Sequence, residues 1–277
     1  MKIKKLTNEE RDKVQKDELK ILIEFDKICK KNNLIYTVGA GTMIGAVRHK
    51  GFIPWDDDID VYMLRNDFNK LRKIASKELP KSMFYQSHYT DPNYYYPFDK
   101  IRLNNTVFKE TFLSNHDINH GVFIDIFPID AISDNKLRSN FQYYKYRFYR
   151  LGLMVKYINI NARTGKKKFA AQILRLLFSG YSLQYLYKKC EVIAQKNESN
   201  YQNSKWVRNL NSVGSAGKSE TYHRYAFKNI HSTKFEGYDF SISADYDYML
   251  RSLYGDYMKL PPKSEQVTRH ALDELEL

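Results

Sequence analysis

Cysteine is nearly absent from this chain: Cys29 and Cys190 are the only two among 277 residues. Two thiols make neither a disulfide framework nor a four-cysteine zinc site. No stretch approaches the roughly 18 apolar residues that span a bilayer. The first 20 residues are charged throughout and lack the apolar core of a secretory signal. These absences predict an intracellular, cytoplasmic protein with no integral membrane segment.

Acidic residues are missing from one long segment. Between Asn135 and Cys190 there are 13 Lys and Arg residues and no Asp or Glu. The whole chain has 45 basic and 32 acidic residues, a net charge of +13, so this segment carries the entire excess. It also holds 12 Phe and Tyr residues. Charge segregated in this way points to an anionic surface or polymer, whereas evenly spread charge serves only solubility. What remains is ordinary for a globular protein, with 43% hydrophobic and 28% charged residues. The length allows one large domain or two small ones.

Thr7 followed by Glu10 reads as a capping box that opens a helix. Leu19, Leu22, Phe25 and Cys29 continue it at helical spacing, and Lys31-Asn32-Asn33 closes it. Leu34–Val38 reads as a short strand, Gly39 to Thr42 as a turn and Met43–Arg48 as a brief helix. His49 to Asp58 reads as loop, Ile59–Met63 as strand and Asp67–Leu79 as helix. Further strands are predicted over Met83–His88, Pro97–Leu103 and Gly121–Phe127. From Leu137 the spacing of Phe141, Tyr144, Phe148, Leu151, Val155 and Ile158 marks an amphipathic helix. Helices follow from Phe169 to Gly180 and from Ser182 to about Lys196, and another falls within Tyr246 to His270.

The densest chemistry lies between Gly39 and Asp60. Gly41-Thr42 sits between a strand and a helix, where bare N–H groups and the helix dipole favour an anion. Asp58 and Asp60 stand two apart at the start of a strand, so both carboxylates project from one face. Like charges held that way are costly unless a divalent cation neutralises them. A phosphate-cradling turn with such a pair is a minimum kit for metal-assisted phosphoryl or nucleotidyl transfer. Taken singly, each part has a plainer reading, as a simple turn or as a solvated acidic loop. Asp56 and Asp57 are the weaker members, able merely to cap or to bind water.

Asp125 lies inside an otherwise apolar strand, Gly121 to Phe127, where an unpaired charge is expensive. Either it faces solvent on an edge strand, or it joins Asp58 and Asp60 as a third metal ligand or general base. Lys100 and Arg102 share one strand face, placed to neutralise phosphates or simply half exposed. Arg48, His49 and Lys50 follow the phosphate turn and are also candidates for phosphate contact. His49 lacks a second His or Cys at ligand spacing and is not read as a metal ligand.

Gly41-Thr42 with Pro54-Trp-Asp-Asp-Asp-Ile-Asp60 resembles the signature of LicD-type phosphotransferases, relatives of fukutin in the nucleotidyltransferase superfamily. The resemblance continues in Lys100-Ile-Arg102, Asn105-Thr106, Gly121 to Asp130 and Leu253 to Pro262. It implies an α+β fold, a nucleotidyltransferase-like mixed sheet core with flanking helices and a basic helical insertion. On this reading residues 1–277 form one domain, with a core of about 20–134 plus about 200–262 and an insertion of about 135–200. The implied site is Asp58, Asp60 and Asp125 as catalytic and metal-binding residues, with Gly41, Thr42, Arg48, Lys100 and Arg102 on the substrate. The implied reaction moves a phospho-alcohol, typically phosphocholine from CDP-choline, to a sugar hydroxyl of a surface glycan and releases CMP. The implied cofactor is Mg2+, with Mn2+ as the alternative.

Two rivals stand beside this reading. A nucleotidyltransferase acting on a sugar phosphate or alcohol phosphate would use the same metal residues with a different phosphorus in line. A nucleic-acid binder would use the basic aromatic segment but leaves the three aspartates unexplained and repelling a phosphate backbone. Nucleic acid is therefore not the expected partner. A glycan acceptor carried on a lipid would instead bring segment 135–190 to the inner face of an anionic membrane; the plain alternative is that the 137–158 stripe packs on the α/β core and the cations are simply solvated.

Overall fold

The computed structural model describes residues 6–212, 218–268 and 270–277. Helix α1 (Asn8–Lys31) opens with the predicted capping box: Thr7 accepts from the Glu10 N–H, and Glu10 reaches back to the Thr7 N–H. It buries Ile21, Leu22, Phe25 and Cys29. After it come β1 (Thr37–Val38), then α2 (Ala40–Ile44), which runs on through a π-helical turn over Gly45–His49. Strand β2 (Asp60–Leu64) and helix α3 (Arg65–Glu78) follow. Next come β3 (Met83–Gln86), β4 (Asp99–Leu103), β5 (Val107–Glu110) and β6 (Phe123–Ala131). Three helices, α4 (Lys136–Tyr157), α5 (Gly165–Leu177) and α6 (Leu183–Tyr201), precede β7 (Trp206–Arg208) and β8 (Thr221–His223). The chain closes with β9 (Ile230–Phe235), β10 (Tyr238–Ser243), α7 (Tyr246–Tyr254) and β11 (Leu272–Glu276).

The architecture is α+β around a mixed sheet in the order β1-β2-β6-β4-β3, extended by β7 on β6 and β8 on β7. Only β2 and β6 pair in parallel, with Asp60 in register with Asp125. β5 pairs with β11 and β9 with β10 as separate two-stranded ribbons. β6 runs four residues beyond the predicted end and contains Pro128. The Asp125 N–H donates to Ile59 O on the β2 side. Alternation therefore turns Pro128 to the opposite edge, into the gap between β4, which ends its pairing at Ile126, and β7, which begins at Asp130. A proline there removes no ladder hydrogen bond.

Buried ion pairs fasten the layers. Arg65 grips Asp130 through Nε at 2.7 Å and Nη2 at 3.0 Å, both side chains being fully buried. Arg72 binds Asp99 in the same two-pronged way and also reaches Glu191 of α6 at 2.9 Å. The helical region forms a second hydrophobic cluster of its own, with Tyr146, Leu153, Phe178, Leu186 and Cys190 at its centre.

Helix α4 has nearly the predicted length, and most of its apolar stripe faces outward. Of the apolar stripe, only Val155 and Ile158 are buried; Leu137 is 80% exposed, Phe141 70% and Tyr144 58%. The buried side carries Ser139, Gln142, Tyr143 and Tyr146. These polar groups find partners: Gln142 donates to Asn197 Oδ1, and the Tyr146 hydroxyl donates to Asn211 Oδ1 at 2.7 Å. The plain alternative, that the stripe packs on the α/β core, is therefore overturned.

Candidate active site

The turn between β1 and α2 is shaped by close approach. A Cβ on Gly39 would stand 2.6 Å from the Tyr62 ring, and one on Gly41 2.5 Å from Asp56 Oδ2. Between them Ala40 holds a positive φ of 39°, a strained conformation for a residue with a Cβ. Gly39 N–H donates to Asp60 O at 2.8 Å, and Thr42 Oγ1 accepts from the Asp60 N–H at 2.8 Å. The turn and the first residue of β2 are thus laced together from both sides. Thr42 is buried and its hydroxyl positions Asp60.

The loop between the π-turn and β2 is held from behind, where Gln15 of α1 donates to Asp56 O at 2.8 Å. Its acidic run divides in two. Asp56, Asp58 and Asp60 line a cleft of about 700 Å³, together with Gly41, Arg48 and Trp55. The far wall comes from the C-terminal segment, with Tyr254, Tyr257 and Lys259. Asp57 turns the other way, is fully buried, and forms an ion pair with His270 at 3.2 Å. Asp56 thus belongs to the cleft, more than its place before the strand implied. Carboxylate oxygens of Asp56, Asp57 and Asp58 all lie within 4.8 Å of one another.

Asp125 stands beside Asp60 on the neighbouring strand, and its carboxylate meets Lys100 Nζ at 2.6 Å. Lys100 is buried between Asp125 and Glu110, the latter 3.8 Å away. Arg102 is fully buried too, donating to Gln86 Oε1 and Gly121 O. Strand alternation placed both cations on one face as expected. That face meets carboxylates and backbone, away from the cleft lining. Arg48 does line the cleft, where its guanidinium donates to Tyr257 O and to His49 Nε2.

Electrostatics make this an acid-rich centre with too few cations. Burial, then the charges of Asp58, Asp125 and Asp56, pushes the Asp60 carboxyl well above its usual range. Glu18 of α1 is raised for the same reasons, burial first and then Asp58, Asp57, Asp56 and Asp125. Its Oε2 has no hydrogen-bond partner among the described residues. Burial raises Asp125 as well, against the pull of Lys100. Burial opposes charge on His270, yet Asp57, Asp58 and Glu110 outweigh it and lift its pKa to about 10. The donor set is all oxygen and strongly negative, which suits a hard divalent cation such as Mg2+ or Mn2+.

Sequence reasoning did not single out Glu18, Glu110 or His270. Glu18 lies on the buried side of α1, where its polarity reads as a surface position. His270 reaches Asp57 only because β11 closes on β5, a pairing with no motif to announce it.

Residues 33–153 match the family model described as LicD/FKTN/FKRP, nucleotidyltransferase domain. The resemblance carried by the Gly41-Thr42 and Asp58–Asp60 motifs therefore holds at the level of this family. The chain is 29% identical over 286 aligned positions to the lipopolysaccharide cholinephosphotransferase LicD of Haemophilus influenzae, covering 97% of each chain. It is also 44% identical over 48 residues to an uncharacterised protein of Rickettsia prowazekii, a match spanning 17% of this chain and 18% of that one.

Proposed function

We propose that this LicD-like chain transfers a phosphorylated alcohol, phosphocholine from CDP-choline in the first instance, to a sugar hydroxyl of a cell-surface glycan such as lipopolysaccharide, teichoic acid or capsule. The observation that carries the proposal is the set Asp56, Asp58 and Asp60 facing a cleft across from Arg48 and beside a glycine turn. Its resemblance to the Haemophilus protein, whose name states cholinephosphotransferase activity, supports the same reading. Trp55 and Tyr254 in the cleft wall supply aromatic faces suited to a quaternary ammonium head.

Asp58 and Asp60 would hold a divalent cation, with Asp125 as the third carboxylate. Such an ion neutralises charge on the transferring phosphate. The chain's own groups divide the remaining work. The missing Cβ at Gly41 lets the Asp56 carboxylate approach the turn, and Arg48 adds a cation for phosphate to the same cleft. Thr42 fixes the Asp60 backbone. Asp125, its carboxyl raised by burial, would act either as that third carboxylate or as the base that takes the proton the acceptor hydroxyl gives up as it attacks phosphorus. The bond to CMP breaks, and CMP leaves.

The test is Mg2+-dependent or Mn2+-dependent release of CMP from CDP-choline, CDP-ribitol and CDP-glycerol in the presence of acceptor glycan. Free CMP is the expected product. A nucleotide adduct on the acceptor would instead establish nucleotidyl transfer, and wild-type turnover in excess EDTA would remove the metal altogether. Asp125→Asn keeps the shape and deletes the charge, and turnover should fall by roughly 100-fold or more. Near-normal CMP release from that variant would leave Asp125 as merely the partner of Lys100.

A further inference from the structure

We infer that helices α4 and α5 form a docking surface for an anionic lipid bilayer. The inference stands on the surface alone and does not depend on the metal site. The first half of helix α4 turns a polar face inward, and the helix presents Leu137, Phe141, Tyr144, Phe148 and Leu151 to the outside. These positions follow steps of four and three, so they form one stripe. Helix α5 buries little beyond Ala171 and exposes Phe169 (65%), Ile173 (46%), Leu176 (75%) and Leu177 (69%).

The two helices are held to each other end to end. Arg175 of α5 donates to the carbonyls of Val155 and Ile158 at the end of α4. In return Lys156 of α4 donates to the carbonyls of Phe178, Ser179 and Tyr181 beyond α5. The Phe148 ring meets the Phe178 ring at 5.1 Å, so the α4 stripe runs into the end of α5. These contacts fix α5 through the Arg175 side chain and the segment after the helix, and leave Phe169, Ile173, Leu176 and Leu177 without cover.

Charge identifies what covers them. The segment 135–190 has 13 cations and no carboxylate. Lys136, Arg138, Lys145, Lys166 and Lys167 of α4 and α5 are exposed, and no ion pair among the described residues involves them. An interface with another protein would leave that many like charges to be matched one by one. A bilayer of anionic lipids matches them all, and its headgroup boundary accepts the apolar stripe beside them. No helix among the described residues is long and apolar enough to cross a membrane, so the contact is peripheral.

The experiment is sedimentation of the full chain with phosphatidylcholine vesicles, with and without phosphatidylglycerol. Anionic vesicles should carry the protein down at low salt and release it near 0.5 M salt, where screening is strong. Each cation at the surface contributes roughly fivefold in partitioning. Lys166→Glu combined with Lys167→Glu should therefore weaken binding by at least about 25-fold. Phe169→Ser combined with Leu176→Ser should weaken it without shifting the melting midpoint, because both side chains are already exposed. Asp60→Ala should bind vesicles like the wild type, which separates this result from the fate of the active-site reading. Equal, salt-insensitive sedimentation with neutral and anionic vesicles would overturn the inference. So would a self-association that the same variants abolish while no vesicle binding is seen.

Discussion

Asp58→Ala and Asp60→Ala should each lower CMP release by about a thousandfold or more while the folded state persists. The loss follows from removing a group that holds charge against the transferring phosphate, an effect of several kcal/mol. The persistence follows from the electrostatics of the cleft. Asp60 is disfavoured by burial and then by Asp58, Asp125 and Asp56. Deleting one of these charges relieves repulsion among the rest. The Thr42 bond to the Asp60 backbone survives, because it uses the amide and not the side chain. Thermal melting without added metal should therefore show each variant at or above the wild-type midpoint. A variant that loses activity only in proportion to lost folded protein would assign these aspartates to structure.

Asp130→Ala should do the reverse, costing about 3–5 kcal/mol of stability with little direct effect on chemistry. Asp130 is the other carboxylate of β6. In the fold it binds Arg65 through both oxygens, with neither side chain reachable by water. Its removal strands a guanidinium in the core, and the loss of the carboxylate's hydrogen bonds adds to the penalty. Chemical denaturation measures the cost directly. A double variant, Arg65→Met with Asp130→Leu, should recover most of it, since no buried charge is then left alone. Wild-type stability for Asp130→Ala would show that the pair contributes nothing.

Much of the site was legible because its signals are local. Gly39 to Thr42 and the run from Pro54 to Asp60 are contiguous strings whose chemistry follows from spacing, and the structure folds both into one cleft. The capping box at Thr7 and the strand after Asp58 are equally local. What stayed hidden depends on partners distant in the chain. Alternation put Lys100 and Arg102 on a common face, but only the pairing of β4 with β6 reveals that Asp125 waits there. Periodicity found the α4 stripe, yet periodicity reports two unlike faces without saying which one is buried. That was decided by Asn197 and Asn211, which make the polar face the satisfied one. The β9–β10 ribbon was missed although Glu236-Gly237, both with positive φ, mark a tight hairpin turn.

The parallel pairing of β2 with β6 also bears on the order of folding. Asp60 and Asp125 are 65 positions apart, and β3, β4 and β5 must be placed while that loop closes. The helical cluster is built mostly from neighbours in the chain, within residues 146–210. Local contacts form before distant ones, because short loops cost less entropy to close. Loop closure therefore favours, by a small margin, assembly of the helical cluster before the acidic cleft.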